Sequence, residues 1–150
     1  MFEEALAWKH EEEFLCVAFQ NRVAYATGGT TLHSSGDIAV GNQSATNLTH
    51  TDVDLLFTRN QHLRWVIIDE GPMIPENVLG AFEHHLADAA VDSRYKKRSD
   101  KSVRPFGGYN VIILGDFYQI PPIPASASLS IPLPRKKRTR TQSMVHVLEF

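Results

Sequence analysis

Three short apolar runs punctuate the chain, at residues 14–19 (FLCVAF), 65–68 (WVII) and 110–114 (NVIIL). Each is too short for an ordinary helix and carries almost no polar position on either face. Each therefore predicts a strand buried on both sides. The segments between them favour helices. Residues 20–27 suit a short helix stopped by Gly28-Gly29. Thr51 or Asp52 can cap a helix running to about Gln61, with Val53, Leu56 and Phe57 on one face. Pro75 starts the best helix, in which Val78, Leu79, Phe82, Leu86 and Ala90 form one apolar stripe. Phe2, Ala5, Leu6 and Trp8 allow a short exposed helix within residues 2–13. The Ser-, Gly-, Asn- and Thr-rich residues 34–50 predict a surface loop, and residues 92–104 a basic polar stretch.

Strands alternating with helices imply parallel crossovers, so the pattern predicts an α/β fold with a mostly parallel sheet flanked by helices. Residues 1–13 form an extension, 14–123 hold the α/β pattern, and 124–150 are a Pro/Ser-rich, basic loop leading to a further element at 144–150. Ligands of such sheets gather at the carboxyl ends of the strands. Three polar clusters fall there: the segment after Phe19, the pair Asp69-Glu70, and residues 116–119.

Composition narrows the class. With 150 residues, 43% of them hydrophobic, the chain can bury a core and is no disordered tail. Its formal net charge of −2 gives no global attraction to nucleic acid. The cations are nevertheless clustered, at Arg94, Lys96, Lys97, Arg98, Lys101 and Arg104 and again over residues 135–140, and such clusters can hold a polyanion locally. The lone Cys16 excludes an internal disulfide and a cysteine-rich zinc site, and its apolar surroundings predict a buried, inert thiol. No apolar run is long enough to span a membrane, and the acidic start (Glu3, Glu4) does not fit a secretory or transit leader. The expected setting is intracellular: nuclear or mitochondrial in a eukaryote, otherwise cytoplasmic.

Chemistry concentrates in three motifs. In Val66-Ile67-Ile68-Asp69-Glu70 two carboxylates emerge together from a buried strand. In phosphoryl transfer the first acid of such a pair holds Mg²⁺ and the second orients the attacking water, although exposed acids at a strand end are also common. Val111-Ile112-Ile113-Leu114-Gly115-Asp116 is a second strand with an acid at its tip, followed by Phe117-Tyr118-Gln119-Ile120-Pro121-Pro122. A neutral Gln there can hydrogen-bond a terminal phosphate, and two prolines would stiffen its exit; a rigid turn with a solvated Gln is the plainer alternative. In Gly28-Gly29-Thr30-Thr31-Leu32-His33-Ser34, glycines admit close backbone approach and hydroxyls can hold phosphate oxygens, but a simple Gly-Gly turn explains the same letters.

Taken in this order, GGTTLHS, VIIDEGPMI and NVIILGDFYQIPPI resemble the PIF-type superfamily-one DNA helicases, which translocate 5′-to-3′ on single strands. The likeness runs from about Val17 to Pro122, and Arg104-Pro105-Phe106-Gly107-Gly108 resembles the family's lead-in to the third motif. It implies a RecA-like P-loop motor domain with Mg²⁺ and ATP as cofactors and single-stranded DNA as partner. Asp69 would correspond to the magnesium-holding acid, Glu70 to the hydrolytic base and Gln119 to the γ-phosphate sensor, with Asp116 beside them at the nucleotide. Gly29, Thr30 and His33 lie in the motif that contacts the single-strand backbone in the family.

The chain departs from that pattern in three places. It contains no G-x-x-x-x-G-K-[ST], the loop that cradles the β- and γ-phosphates, which in the family lies upstream of the first apolar run. The second motor domain with its arginine finger has no counterpart. Gly71-Pro72 stands where the family carries a small apolar residue and Ser before Met. The expectation is a fragment of the first motor domain, without its first strand and phosphate loop, and inactive alone. A nucleic-acid- or partner-binding remnant and a RecD-like motor are the rivals. Among the remaining candidates, His84-His85 with Asp88 is read as a solvated face, because adjacent helical residues point about 100° apart. Trp65 and Phe117 are read as core residues sooner than as stacking platforms.

Overall fold

The computed structural model describes residues 2–39, 48–90 and 96–116. The second half of the third motif (Phe117, Gln119 and the two prolines), Arg94 and the basic run at 135–140 lie outside the described residues.

Four parallel strands build one sheet: β1 (Phe14–Ala18), β2 (Thr30–Thr31), β3 (Trp65–Asp69) and β4 (Asn110–Ile113), in the order β2-β1-β3-β4. β1 and β3 run in full register from Phe14 opposite Trp65 to Ala18 opposite Asp69, and β4 continues the register with Ile113 opposite Ile68. The three strands expected from the apolar runs are therefore present, within a residue at each end. β2 is an addition, too short to leave a periodic pattern.

Helices fill the crossovers. α1 (Phe2–Leu6) precedes the sheet, α2 (Asn21–Ala26) links β1 to β2, and α3 (Leu32–Ser35) and α4 (His50–Asn60) lie between β2 and β3. α5 (Glu76–Asp88) joins β3 to β4. The core lies between α5 and the sheet: Val17, Val66 and Ile68 meet Val78, Leu79, Phe82 and Leu86, closed by Leu32, Ile74 and Phe106. Phe82 is fully buried, and its ring meets Phe106 edge-on at 6.4 Å between centroids. The stripe foreseen on this helix is the one that packs, although Pro75 is its cap position and Glu76 its first helical residue.

Three local expectations are corrected. α4 is capped by Thr49, not by Thr51 or Asp52: the Thr49 hydroxyl accepts the Asp52 N–H at 3.3 Å while the Asp52 carboxylate accepts the Thr49 N–H at 3.0 Å. This reciprocal box satisfies donors at both ends of the first turn. On α4 the buried positions are Leu56 and Asn60, whereas Phe57 is exposed, so the expected face is rotated. The supposed loop at 34–50 begins inside α3 and ends inside α4, with Ser35 and Gly36 buried. Gly36 packs so tightly on Phe82 that a Cβ there would stand 2.6 Å from the ring.

Candidate functional site

The tips of the strands converge on one edge of the sheet. β1 has β2 on one side and β3 on the other, so the connections leaving β1 and β3 diverge. Crevices form at the carboxyl ends of strands at such reversals of order. Asp69 closes β3 beside Ala18 at this place. Its Oδ1 accepts the Glu70 N–H at 2.8 Å.

Glu70 adopts the left-handed conformation, φ 53° and ψ 38°, which is uncommon for a residue with a side chain. The turn is pinned from both sides: the Leu114 N–H donates to the Ile68 carbonyl, and the Gly71 N–H to the Leu114 carbonyl, each at 2.8 Å. Glu70 Oε2 is buried and has no hydrogen-bond partner among the described residues. A buried carboxylate oxygen left without a donor is costly, so packing alone gives no reason for an acid here.

Gly71-Pro72-Met73 forms a 3₁₀ turn whose first two residues are buried. A Cβ on Gly115 would collide with the Pro72 ring and stand 3.0 Å from the Gly71 nitrogen. Glycine at 115 thus lets the exits of β3 and β4 press together. That contact brings exposed Asp116 to the same edge as Asp69 and Glu70.

The glycine motif sits on the other side of β1. α2 ends, Gly28 turns the chain at φ 68°, and the Gly29 N–H donates to the Ala24 carbonyl at 2.8 Å. A Cβ on Gly29 would run into the carbonyl oxygen of Cys16, so this glycine is required by the approach of the turn to β1. Thr30 and Thr31 then pair with Val17 and Ala18. The Thr30 hydroxyl shares a short hydrogen bond with the Ser35 hydroxyl, and Thr31 caps α3 by accepting the Ser34 N–H at 3.2 Å. His33 is half-buried with its ring 5.7 Å from that of Phe19, and burial pushes its pKa below the usual histidine value. It is therefore a neutral imidazole at neutral pH.

Other candidates resolve differently. His84 is exposed and lies 3.4 Å from Asp88, as a solvated face should. His85 overturns that reading: it is buried, with Nδ1 2.6 Å from the Gly36 carbonyl. A carbonyl only accepts, so His85 carries its proton on Nδ1 and ties α5 to the end of α3. Standing about 100° round the helix from His84, it turns inward where His84 does not, and nothing in the letters identified Gly36 as its partner. Among the described residues no group of three or more His, Cys, Asp or Glu is arranged to hold a metal ion. Cys16 is half-buried, and burial, aided by Glu3 and Asp69, pushes its thiol pKa up, which keeps it protonated. Trp65 is half-buried at the opposite end of β3 from Asp69, where it lines a cleft of about 570 Å³ with Trp8, Arg64 and Tyr109. Four strand steps, roughly 13 Å, separate it from the acid pair.

No described helix is long and apolar enough to cross a membrane. Comparison with known proteins places this geometry. The family model described as PIF1-like helicase matches residues 9–139. The ATP-dependent DNA helicase RRM3 of Saccharomyces cerevisiae is 31% identical over 116 residues, which are 75% of this chain and 14% of that protein. The ATP-dependent DNA helicase Pif1 of Bdellovibrio bacteriovorus is 32% identical over 114 residues, 75% of this chain and 24% of that protein. Among solved structures, a Bacteroides Pif1 helicase in complex with ADP-AlF3 and single-stranded DNA superposes with a TM-score of 0.54 at 25% identity, covering 82% of this chain and 27% of its own. The Candida albicans Pif1 helicase superposes with a TM-score of 0.55 at 26% identity, over 74% of this chain and 24% of its own. The chain thus spans at most about a quarter of the length of these relatives, and it belongs to the PIF1-like helicase family.

Proposed function

We propose that residues 14–123 form part of the first motor domain of an ATP-dependent, 5′-to-3′ DNA helicase used in genome maintenance. The observation that carries the reading is the pair Asp69-Glu70 at the crevice beside β1, with Glu70 held in a left-handed turn and one of its oxygens buried without a described partner. In a PIF1-type site Asp69 would help to hold Mg²⁺, and Glu70 would be placed to accept a proton from the attacking water. The donor set suits that ion: Mg²⁺ prefers carboxylate oxygens, keeps much of its water, and needs only one or two protein acids beside the substrate phosphates. When bound, the ion supplies charge neutralisation at the phosphates. Asp116 is pressed to the same edge by Gly115, and Gln119, a few residues on, is assigned to sensing the terminal phosphate.

The outer edge of β4 supports the rest of the reading. β4 is apolar on both faces, a pattern typical of an internal parallel strand, yet no described strand covers its far side. A fifth parallel strand carrying a phosphate-binding loop would complete the sheet there, next to Asp116. Gly29, Thr30 and His33 are assigned to the single-strand backbone, His33 as an uncharged donor. A second motor domain would supply the other wall of the ATP cleft.

The reading is tested in a protein that joins this segment to a phosphate-binding loop. Asp69→Asn is expected to weaken binding of the magnesium complex of ATP by about 10–100-fold while leaving magnesium-free nucleotide affinity nearly unchanged. Equal affinity of parent and variant for Mg²⁺-ATP would remove Asp69 from the site.

A further inference from the structure

The cationic stretch before β4 is not a featureless loop. The Arg104 N–H donates to the Lys96 carbonyl at 2.7 Å, the Arg98 N–H to the Ser102 carbonyl at 2.9 Å, and Lys97 pairs with Val103 in antiparallel fashion. The turn closes through the Lys101 N–H on the Arg98 carbonyl at 2.9 Å, with Lys101 at φ 67°. Residues 96–104 are thus a tight hairpin that carries five cations, of which Lys97, Arg98, Lys101 and Arg104 are exposed. None of these four forms an ion pair with a described residue. The single acid, Asp100, is turned onto its own loop, accepting the Ser102 N–H at 2.9 Å and hydroxyl at 2.6 Å.

The hairpin is fastened to the core. It leads into the turn Pro105–Gly108, where the Phe106 N–H donates to Glu83 Oε1 at 3.0 Å and Phe106 is buried against Phe82. Gly107, at φ 64°, lies so close to α5 that a Cβ would stand 2.7 Å from that of Ala90. Like charges held together on one turn repel one another, and the one acid among them, Asp100, offsets only part of that charge, through its attraction to Arg98. A net-positive cluster on a hydrogen-bonded turn of this kind suits a dense array of phosphates, since the backbone that presents it is already ordered.

The hairpin enters the sheet at the amino end of β4, the opposite edge from Asp69, Glu70 and Asp116. It is therefore separate from the strand-tip assignments and does not rest on them. We infer that residues 96–104 form a second nucleic-acid contact, one that grips the phosphodiester backbone of duplex DNA without reading sequence. The duplex is favoured over a single strand by charge density, because its two backbones present one charge per about 1.7 Å of axis to a cluster only nine residues long.

The test uses the 150-residue chain and fluorescein-labelled oligonucleotides, duplex and single-stranded, titrated by anisotropy over a range of salt. In the triple variant K97Q/R98Q/K101Q the duplex log–log salt slope is expected to fall by about 2.7, with a similar loss for unrelated sequences. Single-strand affinity should change much less. An unchanged duplex slope, or a loss confined to the single strand, would overturn the inference. Tighter binding of polyglutamate than of duplex at matched charge would assign the hairpin to an acidic protein and overturn it too. A second measurement guards against misfolding of the variant: in the parent chain, amide exchange at 96–104 should slow on addition of duplex, and no protection there contradicts the assignment.

Discussion

At the scale of single residues, the site is built from positions where ordinary side chains would not fit or would not be tolerated. Gly29 and Gly115 are glycines because neighbours stand where a Cβ would go: the Cys16 carbonyl in the middle of β1 for Gly29, and the Gly71-Pro72 turn for Gly115. Glu70 carries its side chain through a left-handed turn and buries an oxygen. His33 shows how burial sets chemistry: its pKa is lowered, so the unfolded chain takes up a proton that the folded chain resists. The contribution of His33 to stability therefore rises as pH climbs through the interval below 6.5 and is flat above it. Urea unfolding at several pH values should show this slope reduced in His33→Asn, and an identical pH profile in parent and variant would contradict the half-buried, neutral imidazole. The letters gave the acids and glycines away because they interrupt apolar strands. They hid His85, whose partner, the Gly36 carbonyl, lies 49 positions distant.

At the scale of elements, strands were far more legible than caps. Phe14–Ala18, Trp65–Asp69 and Asn110–Ile113 are apolar on both faces, and helices on both sides of the sheet require that. The start of α4 was ambiguous because Thr49, Thr51 and Asp52 are all good capping residues within four positions. Geometry chose Thr49, since only its hydroxyl faces the Asp52 N–H in the box. Thr49→Ala should lower the free energy of unfolding by about 1 kcal/mol, whereas Thr51→Ala, an exposed helical position, should leave it nearly unchanged. Equal losses in both would contradict the cap assignment. The hairpin at 96–104 and the two-residue β2 escaped sequence reading for a simpler reason. Neither has an apolar period, and both are held by backbone hydrogen bonds to neighbours that composition does not name.

At the scale of the molecule, the segment has two faces with different chemistry. One edge of the sheet gathers Asp69, Glu70 and Asp116, and the other carries the cleft lined by Trp8, Trp65 and Tyr109 and leads into the basic hairpin. In the proposed motor, Glu70 is assigned as the base for ATP hydrolysis. The most direct measurement is single-strand-stimulated ATP turnover by a protein that joins this segment to a phosphate-binding loop and a second motor domain, with and without Glu70→Gln. Turnover is expected to fall by about 10²–10⁴-fold with nucleotide affinity retained. Unchanged turnover in the variant would contradict that assignment.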